Sequence, residues 1–313
     1  MKILNNLSEI DTVFGHHPDI GLTIGNFDGV HIGHRQLLEK IRKDCIAKKL
    51  KFTLVTFVPH PQKILRPEKS HLLINSYEDR RKLLKDMGVD ILIELQFTRD
   101  FSTLKGEDFL EEYLLSYPTL KVFYLGYDFA FGANKEGTHE LVRSLCLPKG
   151  IEVDIQPKFE FRGDIVSSSL IREKLKSGNI TELETILNRP FHISGVVVKG
   201  EGRGKKIGFP TANIQIASDL IIPQKGVYVT KTSYKEMVYQ SVTNIGNNPT
   251  FKDTELIHIE TNLFDFNNDI YGEVLHIEFL QKIRDEKKFS TVNDLIEQIK
   301  KDVNSAKKIL GHQ

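Results

Sequence analysis

The stretch IGLTIGNFDGVHIGH, residues 20–34, decides the fold of the first half of the chain. It opens with an apolar run, Ile20 to Ile24, of the kind that forms a strand buried on both faces of a sheet. Gly25 and Gly29 then bracket a turn, and a helical pattern follows. A strand that passes through such a turn into a helix lets backbone approach a ligand closely. The helix N-terminus supplies N–H groups and partial positive charge for phosphate. His31 and His34, three apart, share one helix face and converge two donors on one phosphate. The same spacing suits surface or capping histidines. A zinc site would need a third ligand, for which His16, His17 and His60 are available, but no HExxH pattern or carboxylate spacing supports one.

Outward from this stretch the rhythm continues. FTLVTFV at 52–58, DILIEL at 90–95, KVFYLG at 121–126 and IEVDIQP at 151–157 read as strands. LLEKIRKDCIAKKL at 37–50, YEDRRKLLKDMG at 77–88, GEDFLEEYLLS at 106–116 and THELVRSLC at 138–146 read as helices between them. About five such strands predict a doubly wound parallel sheet. Two short helices follow at 169–178 and 181–188, the first with serines at its start and Gly178 at its stop. From Pro190 onward short alternating runs (HISGVVV, GVYVTKTSY, MVYQSVTNIG, ELIHIETNLF, EVLHIEFL) are separated by Gly, Asn and Asp turns. They predict an antiparallel β-barrel. Val292, Leu295, Ile296, Ile299 and Val303 form one stripe of a terminal helix expected to cover it. The expected organisation is α/β then β, with domains at 1–186 and 187–313.

Length agrees, since 313 residues amount to about two domains. Lys and Arg number 43 against 42 Asp and Glu, a net charge of +1 that excludes holding nucleic acid or an anionic membrane by charge alone. With 40% hydrophobic and 27% charged residues, the chain has an ordinary globular composition. Cys45 and Cys146 are too far apart for a CxxC motif and lie in apolar helical patterns, where buried thiols are expected. Asn5, Asn6 and Glu9 interrupt any signal-peptide core. A cytoplasmic protein with small-molecule substrates and no nucleic-acid or membrane partner is expected; its oligomeric state is left open.

At this point the residues carry a resemblance. GNFDGVHIGH is similar to the HxGH signature of the nucleotidyltransferase superfamily, in the form found in bacterial FMN adenylyltransferases. VTFVPHP at 55–61, LGYDFAFGANKEGT at 125–138 and VSSSLIR at 166–172 resemble that family's later segments in order. The resemblance implies a nucleotide-binding turn of Gly25, Asn26, Phe27, Asp28, Gly29 and Gly33, with His31 and His34 on the ATP phosphates. It implies that His60 and Asp128 shape the site, and that Arg172 closes over the pyrophosphate from the helix start Ser167-Ser168-Ser169. Ser169 stands where the family usually has threonine, which keeps the hydroxyl. The attacking FMN phosphate oxygen is already anionic, so positioning and charge stabilisation suffice without a general base.

The second constellation is KGEGRGKKIGFPTAN at 199–213, which fits neither GxGxxG nor GxxxxGK[ST]. On glycine content alone it is equally a flexible hairpin. GFPTAN, however, resembles the PTAN motif of riboflavin kinases, which form a small β-barrel. That family's other marks follow as GVYV at 226–229, NIGNNPTF at 244–251, DFNNDIYG at 265–272 and RDEKKF at 284–289. The likeness implies that Thr211 and Asn213 hold Mg²⁺ with ATP. It implies that Gly202, Gly204, Lys206, Gly208 and Pro210 cover the phosphates and that Asn244 lines the site. Riboflavin's 5′-hydroxyl is a weak nucleophile that needs a base, for which Glu260 in IHIETNL is the candidate. The family usually shows ExH there, whereas this chain has Glu260-Thr261-Asn262. Arg284 and Glu286 would contact the flavin or order a loop over it. Two ATP sites follow. The rival readings are transfer to another phosphorylated acceptor, with a barrel that merely binds a ligand, and a flavin carrier without turnover.

Overall fold

A computed structural model describes every residue except 70, 128, 130, 133–135, 158, 159, 162, 163, 201, 248–256, 312 and 313, and the backbone alone at 160, 161, 164, 165 and 206. The chain forms two compact units, Met1–Leu72 with Tyr77–Ser167, and Leu73–Ser76 with Ser168–Gln313.

The first unit is built on six parallel strands, β1 (Lys2–Leu4), β2 (Ile20–Ile24), β3 (Lys51–Val58), β4 (Ile91–Gln96), β5 (Leu120–Leu125) and β6 (Glu152–Ile155), in the order β1-β4-β3-β2-β5-β6. All five β2 residues are buried, as their continuous apolar run requires of a central strand covered on both faces. Helices α2 (Ile32–Ala47) and α4 (Tyr77–Asp86) cover one face. There Leu38, Ile41, Cys45 and Leu84 pack on Phe52, Leu54, Val122 and Tyr124. The other face carries α1 (Glu9–Phe14), α5 (Gly106–Phe109) running into a π-helical turn at Leu110–Leu114, and α6 (His139–Cys146). A short α3 (Pro61–Leu65) follows β3, and a hairpin, β7 (Glu160–Phe161) with β8 (Asp164–Ile165), closes the unit. Strand order reverses at β2, between β3 and β5, so the turn after β2 lies at a topological switch point, where open α/β sheets bind ligands. The three-residue β1 is too short to show a period and is a strand beyond the five expected.

The second unit begins with α7 (Ser168–Ser177) and α8 (Ile180–Leu187) and continues into β9 (Phe191–Val198), a one-turn α9 (Arg203–Lys206), β10 (Ala212–Gln215), β11 (Gly226–Tyr234), β12 (Met237–Asn247), β13 (Ile257–Leu263) and β14 (Val274–Arg284). The six strands close as β10-β13-β12-β11-β14-β9, every neighbour antiparallel, and leave no open sheet edge. Within the second unit Leu73 lies parallel to Leu220, its N–H 2.7 Å from Asp219 O and its carbonyl 2.8 Å from Ile221 N. The terminal helix α10 (Val292–Ile309) is capped by Thr291, which accepts from Asp294 N at 3.1 Å. Its distal half, through Val303, Ala306 and Leu310, packs on Val227, Val229, Val242 and Phe264. The expected stripe therefore starts too early, since Val292 is 61% exposed. No described helix is long and apolar enough to cross a membrane.

The barrel interior carries a row of hydroxyls among its apolar side chains. Thr232, Ser241, Thr230, Thr243 and Thr261 are fully buried and linked in that order by contacts of 2.8, 2.8, 2.9 and 3.0 Å. Such a chain stabilises only while every member is satisfied. Thr243→Val, which keeps the volume and breaks two links, is expected to destabilise the barrel by about 1–3 kcal/mol. Hydrogen exchange of the β11–β13 amides checks this; protection equal to wild type would show that the row contributes nothing.

Candidate active sites

In the first unit, the turn from β2 into α2 is tightly determined. Gly25 N donates to Val55 O at 3.0 Å, and Gly29 takes φ 87°, where a side chain would be strained. Phe27 and Val30 hold left-handed backbone at φ 48° and 38° without being glycine, which costs on the order of 1–2 kcal/mol each. Their side chains are anchored in the core, 4% and 0% exposed.

His31 is the N-cap of α2. Its Nδ1 accepts the backbone N–H of His34 at 3.3 Å, which places the ring proton on Nε2 and makes that nitrogen a donor. The His34 ring stacks on it at 3.6 Å, 16° from parallel. Burial, and then the neighbouring His31, holds the His34 imidazole well below the usual histidine range. His34 is therefore a neutral ring at neutral pH. Asn26 Oδ1 and His34 Nδ1 are buried without a hydrogen-bond partner among the described residues.

His60 repeats the device one strand away. It caps α3, its Nδ1 accepts Gln62 N at 3.2 Å, and its own N–H donates to Tyr77 Oη at 2.9 Å. Asp28, His60 and His71 bring ligand atoms within 4.8 Å of one another, a trio that includes a histidine the sequence did not single out. The cap bond leaves the His60 proton on Nε2, and the His60 and His71 rings stack at 4.2 Å and 21°. The trio sets two stacked imidazoles beside a buried carboxylate. His16 and His17 are engaged at the end of α1, with Phe14 O and Asp11.

Beneath the turn sits a group that motif reading passed over. Arg80, 2% exposed on α4, donates from Nη1 to Asn26 O at 3.0 Å. It lies over the Tyr77 ring at 5.0 Å and has Nη2 3.5 Å from Glu94 Oε1. Arg81 holds the same Glu94 through Nε at 3.1 Å to both oxygens. A signal was present, because Tyr77, Arg80 and Leu84 share the inward stripe of the helix and an arginine there is out of pattern. Asp128 lies outside the described residues. Ser168, Ser169 and Arg172 stand at the start of α7 in the second unit.

In that unit the barrel register assembles the second constellation. Asn213 on β10 pairs with Glu260 on β13, and Glu260 pairs with Asn244 on β12. Directly opposed residues share a face, so the three half-buried side chains form one row across adjacent strands. Thr261 and Thr243, one residue along, face the interior. The glycine-rich loop folds over the β10 end of this row. Gly202 and Gly208 take φ 67° and 86°, and a Cβ on Gly204 would sit 3.2 Å from Thr211 Oγ1. Pro210 O accepts from Asn262 Nδ2 at 2.6 Å, which ties the PTAN segment to β13 and gives the residue at the family's histidine position a local role. The Lys206 side chain lies outside the described atoms. Glu286 Oε1 accepts from Asn247 N at 3.0 Å, so its segment folds back on the end of β12. Arg284 instead grips Asp302 of α10, with Nε–Oδ1 3.0 Å and Nη2–Oδ2 2.8 Å, and so orders the helix.

Comparison with known proteins gives two family models in tandem, FAD synthetase over residues 15–170 and riboflavin kinase over residues 187–310. The bifunctional riboflavin kinase/FMN adenylyltransferase of Bacillus subtilis is 34% identical over 91% of this chain and 90% of its own. That of Haemophilus influenzae is 34% identical over 98% of both chains, and that of Escherichia coli K12 is 33% identical over 93% and 92%. A crystal structure from Streptococcus pneumoniae, described as a macrolide-efflux protein, matches with TM-score 0.87 and 32% identity, over 97% of this chain and 98% of that one.

The neutral His34 has a consequence for stability. Below pH 6.5 the unfolded chain binds a proton that the folded ring refuses, so the first unit loses stability as pH falls from 7.5 to 5.5. The slope is at most about 1.4 kcal/mol per pH unit for one group. Urea midpoints across this range are expected to fall less steeply in His34→Asn than in wild type. Parallel pH profiles would show that the ring is not held neutral.

Proposed function

The chain belongs to the bifunctional riboflavin kinase/FMN adenylyltransferase family, and on that premise we propose that it runs both reactions in sequence. The barrel domain, residues 187–313, transfers a phosphoryl group from ATP to riboflavin. The α/β domain, residues 1–186, transfers an adenylyl group from ATP to the resulting FMN and releases pyrophosphate. Both substrates are small soluble molecules, which suits the cytoplasmic location expected from the sequence.

The observation that carries this reading is the row Asn213, Glu260 and Asn244. An alcohol acceptor needs a carboxylate within reach of the nucleotide site, and the register puts Glu260 beside Asn213. In this reading Glu260 takes the proton of the riboflavin 5′-hydroxyl as that oxygen attacks the γ-phosphorus, the bond from the γ-phosphorus to the β,γ-bridging oxygen breaks and ADP leaves. The loop carrying Gly202, Gly204, Lys206, Gly208 and Pro210 lies along the triphosphate. Glu286 holds the end of β12 next to the flavin side, and Arg284 secures α10 behind it. The magnesium that accompanies ATP is a hard cation taking oxygen ligands. The Thr211 hydroxyl, brought against Gly204, and the Asn213 amide oxygen fit that requirement. Bound there, the ion neutralises phosphate charge.

The first site makes no such demand, because the FMN phosphate is ionised before it binds. Gly25, Asn26, Phe27, Asp28, Gly29 and Gly33 form the turn that cradles the triphosphate, with His31 donating from Nε2 and His34 stacked beside it. His60 and Asp128 shape the pocket. Arg172, with Ser168 and Ser169, is assigned to the leaving pyrophosphate on the family motif alone.

Incubation with riboflavin, ATP and Mg²⁺, followed by chromatography, is expected to yield FMN and then FAD; absence of both products would leave a carrier. Glu260→Ala should lower FMN formation by about 10²–10⁴ and leave FAD formation from supplied FMN within about twofold. His31→Ala should lower FAD formation by about 10²–10³ and spare the kinase. Parallel loss of both reactions in either folded variant would contradict the domain assignment.

A further inference from the structure

The nucleotide turn of the first unit is strained at Phe27 and Val30, and strained backbone persists only where its surroundings over-determine it. Hydrophobic anchoring fixes the two side chains, and the peptide between Asn26 and Phe27 is held from outside the turn. That peptide leads into the first left-handed residue, and its carbonyl is the atom that Arg80 holds at 3.0 Å. Arg80 is itself fixed on three sides, by the Asn26 carbonyl, by the Tyr77 ring and by Glu94, which Arg81 orients from the far side. Tyr77, one turn earlier on α4, accepts the backbone N–H of His60. One helix thus grips both histidine-capped turns, the first through Arg80 and the second through Tyr77.

The arrangement is poor for stability alone. Arg80 Nε is buried with no hydrogen-bond partner among the described residues, and burying an ion pair removes two charges from water. Burial lowers the proton affinity of Arg80, while Glu94, Tyr77 and Asp28 act in the opposite sense. A long apolar side chain would fill the same volume without the orphaned Nε, leaving Glu94 to Arg81, but it could not hold a carbonyl.

We infer that Arg80 is a positioning residue for adenylyl transfer: by fixing the Asn26 carbonyl it sets the peptide planes of the turn and the direction of His31 toward the ATP triphosphate. The inference rests on the adenylyltransferase reading above. Lysine reaches the carbonyl as a single donor but cannot also lie flat on Tyr77 and face Glu94, so it replaces arginine only in part.

The test uses the full-length protein and follows FAD formation from FMN at varied ATP and varied FMN, with riboflavin phosphorylation on the same preparations as an independent check of folding. For Arg80→Met the KM for ATP is expected to rise at least about fivefold and kcat/KM for ATP to fall about 10–100-fold. The KM for FMN and the kinase rate should stay within about twofold, with Arg80→Lys between the two. A merely structural role would lower kcat in step with the folded fraction, seen by circular dichroism, and leave the KM for ATP unchanged; that result, or wild-type kinetics, overturns the inference. If Arg80→Met does not fold, Arg80→Lys is judged by the same KM criterion. Failure of the wild-type protein to make FAD would instead overturn the reading on which the inference stands.

Discussion

A histidine that begins a helix commits one ring nitrogen to its own backbone, and the first site is organised around that commitment. Nδ1 of His31 accepts an N–H of α2, so the ring cannot rotate without uncapping the helix, and its proton is confined to Nε2. His60 obeys the same constraint at α3. Each ring is thereby fixed in orientation, with Nδ1 turned toward its own backbone and Nε2 pointing away from the helix end. The His34 ring, stacked on His31 and buried, is held uncharged because a positive charge there would have to be desolvated.

The second site achieves orientation differently, on strands rather than at a helix end. Side chains on a strand alternate between faces, so a slip of one residue in β13 would turn Glu260 into the barrel and expose Thr261. The buried hydroxyls oppose that slip, because Thr243 and Thr261 are bonded to each other only in the observed register. The interior network and the exterior row of Asn213, Glu260 and Asn244 are two sides of one pairing. The contrast between the sites is one of scaffold: side chains of the first are fixed at helix ends, those of the second by strand register.

Much of this was legible in the sequence wherever one residue class repeats with a clear period. The continuous run of β2, the alternation of β13 and the glycine-bracketed turn each announce their structure. Helix α2 begins five residues before its apolar pattern at 37, because a cap is a hydrogen bond and not a period. Strands β1 and β10 were too short or too polar to register. The partner of Arg284 lies 18 residues away on α10, a pairing that only the folded barrel creates. His71 joined Asp28 and His60 through tertiary packing, and nothing local marks it. Arg80 is the instructive case: its out-of-pattern place on α4 was visible, but the carbonyl it holds, 54 residues upstream, was not.

The four residues Leu73–Ser76 belong to the barrel unit although the chain on both sides of them belongs to the sheet unit. Leu73 supplies a donor to Asp219 and an acceptor to Ile221. No single scission of the polypeptide therefore separates the two units cleanly. A fragment starting at residue 187 would lack a piece of its own fold, and circular permutation or gene splitting would have to carry this short splint along. Covalent continuity here is part of the architecture of the kinase half, not merely a tether between two independent catalysts.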